Sequence, residues 1–177
     1  MLFRSNCSVT TELLRGLLGA DIAGFEAQVA AADRGANGVM TLPFFNGERT
    51  PNLPDAKGCV VGLSSHNMNP ENLLRSAVEG ATYARQFGLD ELESLGVPAE
   101  EIVVTGGGAK SDEWRQIVAD VCDAPVLVFE QDEGAAFGAA LQALQIVETD
   151  SCIEELVDSH LTRDFARCCE PRKEAVN

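Results

Sequence analysis

Between Glu100 and Val121 an apolar run, three consecutive glycines and an amphipathic stretch follow one another with no spacer: EEIVVTGGGAKSDEWRQIVADV. That order constrains the fold. Ile102–Thr105 is apolar and β-branched, as strands are. Trp114, Ile117, Val118 and Val121 recur at helical spacing behind Ser111, whose hydroxyl can cap a helix start. A strand that passes at once into a helix is half of a βαβ unit, and a sheet of such units binds ligands at the carboxyl ends of its strands. The glycines lie at such an end.

The flanking sequence extends the alternation. Ser8–Leu18, with Leu13, Leu14, Leu17 and Leu18 before Gly19, predicts a short helix, and Asp21–Ala32 a second with Ile22, Phe25 and Val29 on one face. DRGANG is a turn. Val39–Phe45 reads as a strand that Pro43 ends or confines to an edge, NGERTPNLPDAKG as a long polar loop, and Cys59–Leu63 as a short buried strand. Asn69 and Pro70 are a cap and first-turn pair for a helix running to Leu95, with Gly96 and Pro98 as stops. Its inner face is Leu73, Ala77, Ala81 and Ala84, residues small enough for close approach. Pro125–Phe129 is a further strand and Gly134–Val147 an alanine-rich helix. Ser151 and Glu154 form a capping box for a last short helix, and beyond Arg163 a polar tail with little order is expected. From Cys59 onward the order is strand, helix, strand, helix, strand, helix, which predicts an α/β domain with a parallel, helix-flanked sheet.

Composition narrows the partners. A formal charge of −15 disfavours nucleic acid and anionic membrane surfaces, and no apolar run approaches the roughly 20 residues of a membrane span. With 45% apolar residues the 177-residue chain can bury a core. The six cysteines, Cys7, Cys59, Cys122, Cys152, Cys168 and Cys169, form no C-x-x-C pair, and neither histidine stands at metal-ligand spacing from one. No metal site is therefore expected within the chain, and free thiols fit a reducing cytoplasm. Cys122 lies on an apolar helix face. Residues 1–7 have no leader pattern and read as a non-native or truncated start.

A glycine triplet can merely permit a tight turn, or it can let a ligand approach bare backbone. Two phosphate-binding templates fail or fit weakly. A P-loop needs glycine before its lysine, but Ala109 precedes Lys110 and Val104 stands at the first glycine position. The dinucleotide fingerprint keeps Gly106 and Gly108 but has Ser111 third, with Glu130 as a mimic of the ribose-binding acid. Asp112 and Glu113 already complement the positive helix end, so a polyphosphate there would meet two negative charges. A flat, neutral group such as an adenosine moiety, its phosphates directed elsewhere, suits the charges better.

VVTGGGAKSDEWRQIVADV resembles the adenosine-binding motif of the FGGY family of carbohydrate kinases, most closely its xylulose-kinase branch. Three further stretches resemble the family in family order. These are GCVVGLSSHNMNPENLLRSAVEG, similar to the C-terminal signature; LPFFNGERTPNLPDAKG, similar to the L-P-x-x-x-G-E-R-x-P loop; and DEGAAFGAALQA, similar to the glycine–alanine helix that ends the ATPase core.

The resemblance implies an actin-like ATPase, ribonuclease-H-like domain that is incomplete: the C-terminal half of a two-domain sugar kinase. Residues 8–148 would be the nucleotide-binding domain without its first strands, and 149–177 a C-terminal helix and tail. Gly106, Gly107, Gly108, Ala109, Ser111 and Asp112 would line the adenosine pocket, although many members have Asn where Asp112 stands. The implied chemistry is transfer of the γ-phosphoryl group of ATP, with Mg2+, to a sugar hydroxyl. The best guess is D-xylulose to D-xylulose 5-phosphate, with ribulose, fuculose, gluconate or glycerol as alternatives. The general-base aspartate and the sugar contacts would belong to an N-terminal kinase domain, a partner this chain lacks, so no catalytic residue is assigned and the chain is expected to be inactive alone. A homodimer is left open, and an uncovered sheet edge implies self-association.

Other residues have plainer expectations. Glu48 and Arg49 read as a loop-bracing ion pair, or as an interdomain loop. Lys110, His66 and His160 read as surface residues, Trp114 as core, Gly134 and Gly138 as close helix packing, and Asp90, Glu91 and Glu93 as a solvated helix end. A non-catalytic nucleotide-binding module and a Rossmann-type dinucleotide enzyme are the competing functional readings.

Overall fold

The computed structural model describes residues 6–131, 134–147 and 152–172, which fall into two compact units divided between Ala99 and Glu100. Met1–Ser5, Asp132, Glu133, Ser151 and the last five residues, which figure in the sequence expectations, lie outside the described residues.

In the first unit helices α1 (Cys7–Leu17) and α2 (Ile22–Ala31) pack against the long α3 (Pro70–Ser94), and strand β1 (Met40–Leu42) lies on it as well. The Asn69 carboxamide oxygen accepts the Asn72 amide at 2.8 Å and Pro70 fills the first turn, as the sequence predicts. Because α3 has neighbours on several sides, its buried surface is broader than one stripe. Leu74, Ala77, Val78 and Ala81 are buried together with Asn72, Arg75, Ser76, Glu79, Gly80 and Thr82, while Leu73 and Ala84 are only half-buried. On α2, Phe25 and Val29 are buried but Ile22, in the first turn, is 74% exposed.

The DRGANG stretch is a 3₁₀ segment (Arg34–Gly38) whose Gly35, Ala36 and Asn37 have left-handed dihedrals. It is held from α3: Glu79 Oε1 accepts the Gly35 amide at 3.0 Å and also the Arg75 Nε–H at 2.8 Å, while Arg75 Nη1 donates to the Val29 carbonyl at 3.1 Å.

Strand β2 (Cys59–Val61) pairs antiparallel with β1, Met40 opposite Val61 and Leu42 opposite Cys59. The expected buried strand is thus a surface one, with Cys59 and Val61 exposed. The alternation that starts at Cys59 does not build one parallel sheet among the described residues. A polar loop with room to double back lets β2 return beside β1 in the opposite sense.

The parallel pair lies in the second unit. Strands β3 (Ile102–Val103) and β4 (Val126–Leu127) run side by side with Ile102 opposite Val126, joined by α4 (Asp112–Cys122). Val118, Ala119 and Val126 form the local core, with Ile102, Val104, Trp114, Cys122 and Cys169 packed against it. Trp114 and Cys122 are therefore packing residues, as expected. Helices α5 (Gly134–Val147) and α6 (Ile153–His160) pack on each other. The capping contact of α6 comes one residue later than predicted: Glu155 accepts the Cys152 amide at 3.1 Å.

The tail beyond Arg163 is not loose. Val126 and Cys169 exchange main-chain hydrogen bonds of 2.8 and 3.0 Å, the Asp164 amide donates to the Val128 carbonyl, and Arg172 binds the Asp120 carboxylate. Main-chain pairing needs no apolar side chains, so a polar segment can add a strand to a sheet edge.

Candidate functional site

The parallel pairing brings the carboxyl ends of β3 and β4 to one side of the second unit, and the glycine triplet leaves β3 there. Gly106 has φ 82° and ψ −159°, a combination essentially restricted to glycine. Gly107–Lys110 then make one 3₁₀ turn, closed by the Ala109 amide on the Gly106 carbonyl (3.1 Å) and the Ser111 amide on the Gly108 carbonyl (3.2 Å). A Cβ built on Gly106 or Gly107 would meet nothing within 4 Å, and one on Gly108 would touch the Trp114 ring at 3.5 Å. At Gly106 and Gly107 the turn is bare main chain facing open space, and the indole lies beside Gly108.

The remaining candidates divide. Ser111 is buried and its hydroxyl accepts the Trp114 amide at 3.0 Å, capping α4. Ala109 is buried too, so neither residue presents itself at the exposed surface. Asp112 is 88% exposed and pairs with Arg115. Together Gly106, Gly107, Gly108 and Asp112 present to solvent; Ala109 and Ser111 lie beneath. Gly134, at the start of α5, sits against the same strand end, where a Cβ would come 2.9 Å from Thr105 Oγ1. Close packing was expected at Gly138 as well, but a Cβ there would meet nothing within 4 Å.

In the first unit Glu48 is buried, but not as an ion pair with Arg49. Its carboxylate accepts the Arg49 main-chain amide at 2.8 Å and two donors of Asn6 at 3.4 Å. The neighbouring N–H satisfies the carboxylate locally, which leaves the guanidinium outward. Asn6 also donates to the Gly47 carbonyl (2.5 Å) and accepts the Asn46 amide (3.2 Å), so it fastens the whole loop. Loop and helix start line a cavity of about 590 Å³ that includes Asn6, Asn46, Glu48, Arg49 and Asn52. His66 and His160 are exposed, as are Asp90, Glu91 and Glu93. Among the described residues no group of three His, Cys, Asp or Glu side chains could hold a metal ion, so nothing here assigns a ligand to Mg2+. Among the described residues no helix is long and apolar enough to cross a membrane.

Arg115 is the residue that sequence reasoning missed. Its guanidinium is 4% exposed and donates to the Ala109 carbonyl at 2.7 Å, the Arg167 carbonyl at 2.8 Å and the Asp112 carboxylate. A signal existed: Arg115 is in helical phase with Val118, Ala119 and Cys122, on the face that packs.

Residues 12–145 match the C-terminal domain of the FGGY family of carbohydrate kinases. The chain is 42% identical over 139 residues to a xylulose kinase of Haemophilus influenzae, covering 78% of this chain and 28% of that protein. It superposes on a xylulose kinase from Bifidobacterium adolescentis with a TM-score of 0.76 at 33% identity, covering 96% of this chain and 33% of that one. A ligand-bound xylulose kinase from Lactobacillus acidophilus shares the fold at a TM-score of 0.85 and 22% identity. The chain belongs to the FGGY family of carbohydrate kinases, and its fold is the actin-like α/β fold of that family. It spans about a third or less of the length of these relatives.

Proposed function

We propose that this chain is the nucleotide-binding portion of an ATP-dependent carbohydrate kinase, with D-xylulose as the phosphoryl acceptor and D-xylulose 5-phosphate as the product. The observation that carries the reading is the bare turn at Gly106 and Gly107: open main chain at the carboxyl end of a parallel strand, with the Trp114 indole beside Gly108. A flat adenosine moiety can lie against such a surface at van der Waals distance. Asp112 and Glu113 open α4 with negative charge, which turns the phosphates away from that helix start.

In the reaction the sugar hydroxyl oxygen attacks the γ-phosphorus, the bond to the bridging oxygen breaks, ADP leaves, and a carboxylate takes the hydroxyl proton. Such catalysis is mainly positioning and charge neutralisation. The turn would contribute the positioning. The base, the sugar contacts and the metal ligands are supplied, in this reading, from outside residues 6–172. The preference for xylulose over ribulose, fuculose, gluconate or glycerol rests on the similarity to xylulose kinases alone. A soluble cytoplasmic setting fits the free thiols and the acidic surface.

Titration with ADP and ATP, followed by the emission of Trp114, the only tryptophan, tests the nucleotide reading. Saturable binding of both is expected, with NAD much weaker. A folded chain whose emission ignores ADP and ATP to millimolar concentration would dismiss it, and tighter binding of NAD would favour the dinucleotide-enzyme alternative. A coupled assay of ADP release with each of the five acceptors tests the chemistry. The chain on its own is expected to give no turnover, and joined to a family N-terminal domain, to turn over xylulose fastest.

A further inference from the structure

The guanidinium of Arg115 joins three segments that are far apart in sequence or perform different tasks. Nη1 donates to the carbonyl of Ala109, in the middle of the glycine turn. Nη2 pairs with Asp112 in the first turn of α4. Nε donates to the carbonyl of Arg167, 52 residues away in the tail. That tail is itself anchored: Cys169 bridges to Val126, Gln116 Nε2 donates to the Glu170 carbonyl at 2.9 Å, and Arg172 holds Asp120.

Burying a guanidinium is costly unless its donors find partners, and an apolar residue of similar size often stabilises as well or better. The arrangement is therefore poorly explained by stability. It is well explained by geometry. A guanidinium is planar with donors in a fixed fork, so three acceptors on one fork fix each other's positions. The Ala109 carbonyl is one of them, and the 3₁₀ turn that carries Gly107 and Gly108 hangs from it.

We infer that Arg115 is a positioning residue for the nucleotide seat, and that the tail strand around Arg167 and Cys169 is part of the same device. The inference rests on the nucleotide reading above. Arg115 does not touch the nucleotide; it sets the height and tilt of the bare peptide planes on which the adenosine lies, using the tail as the fixed point.

The test uses the full chain and two variants, Arg115→Lys and Arg115→Met. Lysine keeps the charge but loses the fork. Methionine removes the charge and leaves no buried cation, so it is the variant expected to fold if lysine does not. Three quantities are read: the ADP dissociation constant, the emission of Trp114 before any nucleotide is added, and the urea midpoint. A folded variant should bind ADP about tenfold more weakly, the size expected for one hydrogen bond to a charged group. It should also show shifted Trp114 emission, because the indole lies beside the turn at Gly108, where a Cβ would come within 3.5 Å of the ring, with a urea midpoint near that of the parent. Either variant folded and binding ADP within about twofold of the parent overturns the inference. So does failure of both to fold, which would make Arg115 a strut for the unit and nothing more. Should the parent chain not bind ADP, the nucleotide reading fails first and takes this inference with it, an outcome distinct from unchanged affinity in the variants.

Discussion

A Cβ placed on Gly80 would stand 2.0 Å from the carbonyl oxygen of Thr41, and 3.0 Å from the carbonyl carbon. Strand β1 therefore lies directly on the backbone of α3, and only glycine permits it. Replacing a helix-interior glycine by alanine normally gains up to about 1 kcal/mol. Here a backbone clash must be relieved by moving the strand, and overpacking of that kind costs about 1–3 kcal/mol. Gly80→Ala is expected to destabilise by about 2 kcal/mol. In the same helix a Cβ on Gly88 meets nothing within 4 Å, so Gly88→Ala should stabilise by about 0.5–1 kcal/mol. Urea midpoints of the two variants should move in opposite directions.

Glu79 holds the left-handed turn and a buried cation at once. Glu79→Gln removes the charge of one partner of a buried ion pair, a change that costs about 3 kcal/mol or more. Thermal unfolding should show a marked loss. Near-unchanged stability would mean that Arg75 is satisfied by its other partners.

Gly106 and Gly107 separate fold from function. Gly106→Ala puts a Cβ on a backbone conformation that only glycine adopts readily, at about 1–3 kcal/mol. Gly107 has ordinary dihedrals and open space above it, so Gly107→Val should leave stability almost untouched while its side chain stands on the seat. A drop in ADP affinity of tenfold or more with an unchanged urea midpoint is the expected pair of results. Unchanged affinity would place the nucleotide elsewhere.

The tail has a pH dependence. Burial raises the Asp120 carboxyl, but hydrogen bonds from Arg172 and Gln116 outweigh it, and its pKa lies below the ordinary aspartate value. A carboxylate whose pKa falls on folding adds stability above its unfolded value, about 3.9, and loses it as the pH drops through the lower folded value. Urea midpoints should thus fall as the pH is lowered through the ordinary aspartate range and below it. Asp120→Asn should cost about 1 kcal/mol at pH 7 and reduce that acid-side fall. An equal fall in the variant would remove Asp120 from the cause.

The chain's local grammar is legible in the amino-acid sequence. Asn69 and Ser111 cap the helices they precede, Gly106 sits where a strand must turn into a helix, and four family-like stretches stand in order; each depends on residues that are neighbours in sequence. What only the tertiary structure decided lies in pairs distant along the chain: β2 returning antiparallel beside β1, Glu79 gripping the turn at Gly35, Asn6 fastening Glu48, the polar tail joining β4, and Arg115 inside the packed face. Main-chain hydrogen bonds carry no side-chain signature, and an arginine looks the same in sequence whether solvated or buried. Its partners, two of them backbone carbonyls, exist as a set only once the strand, the turn and the tail have been brought within 3 Å of it.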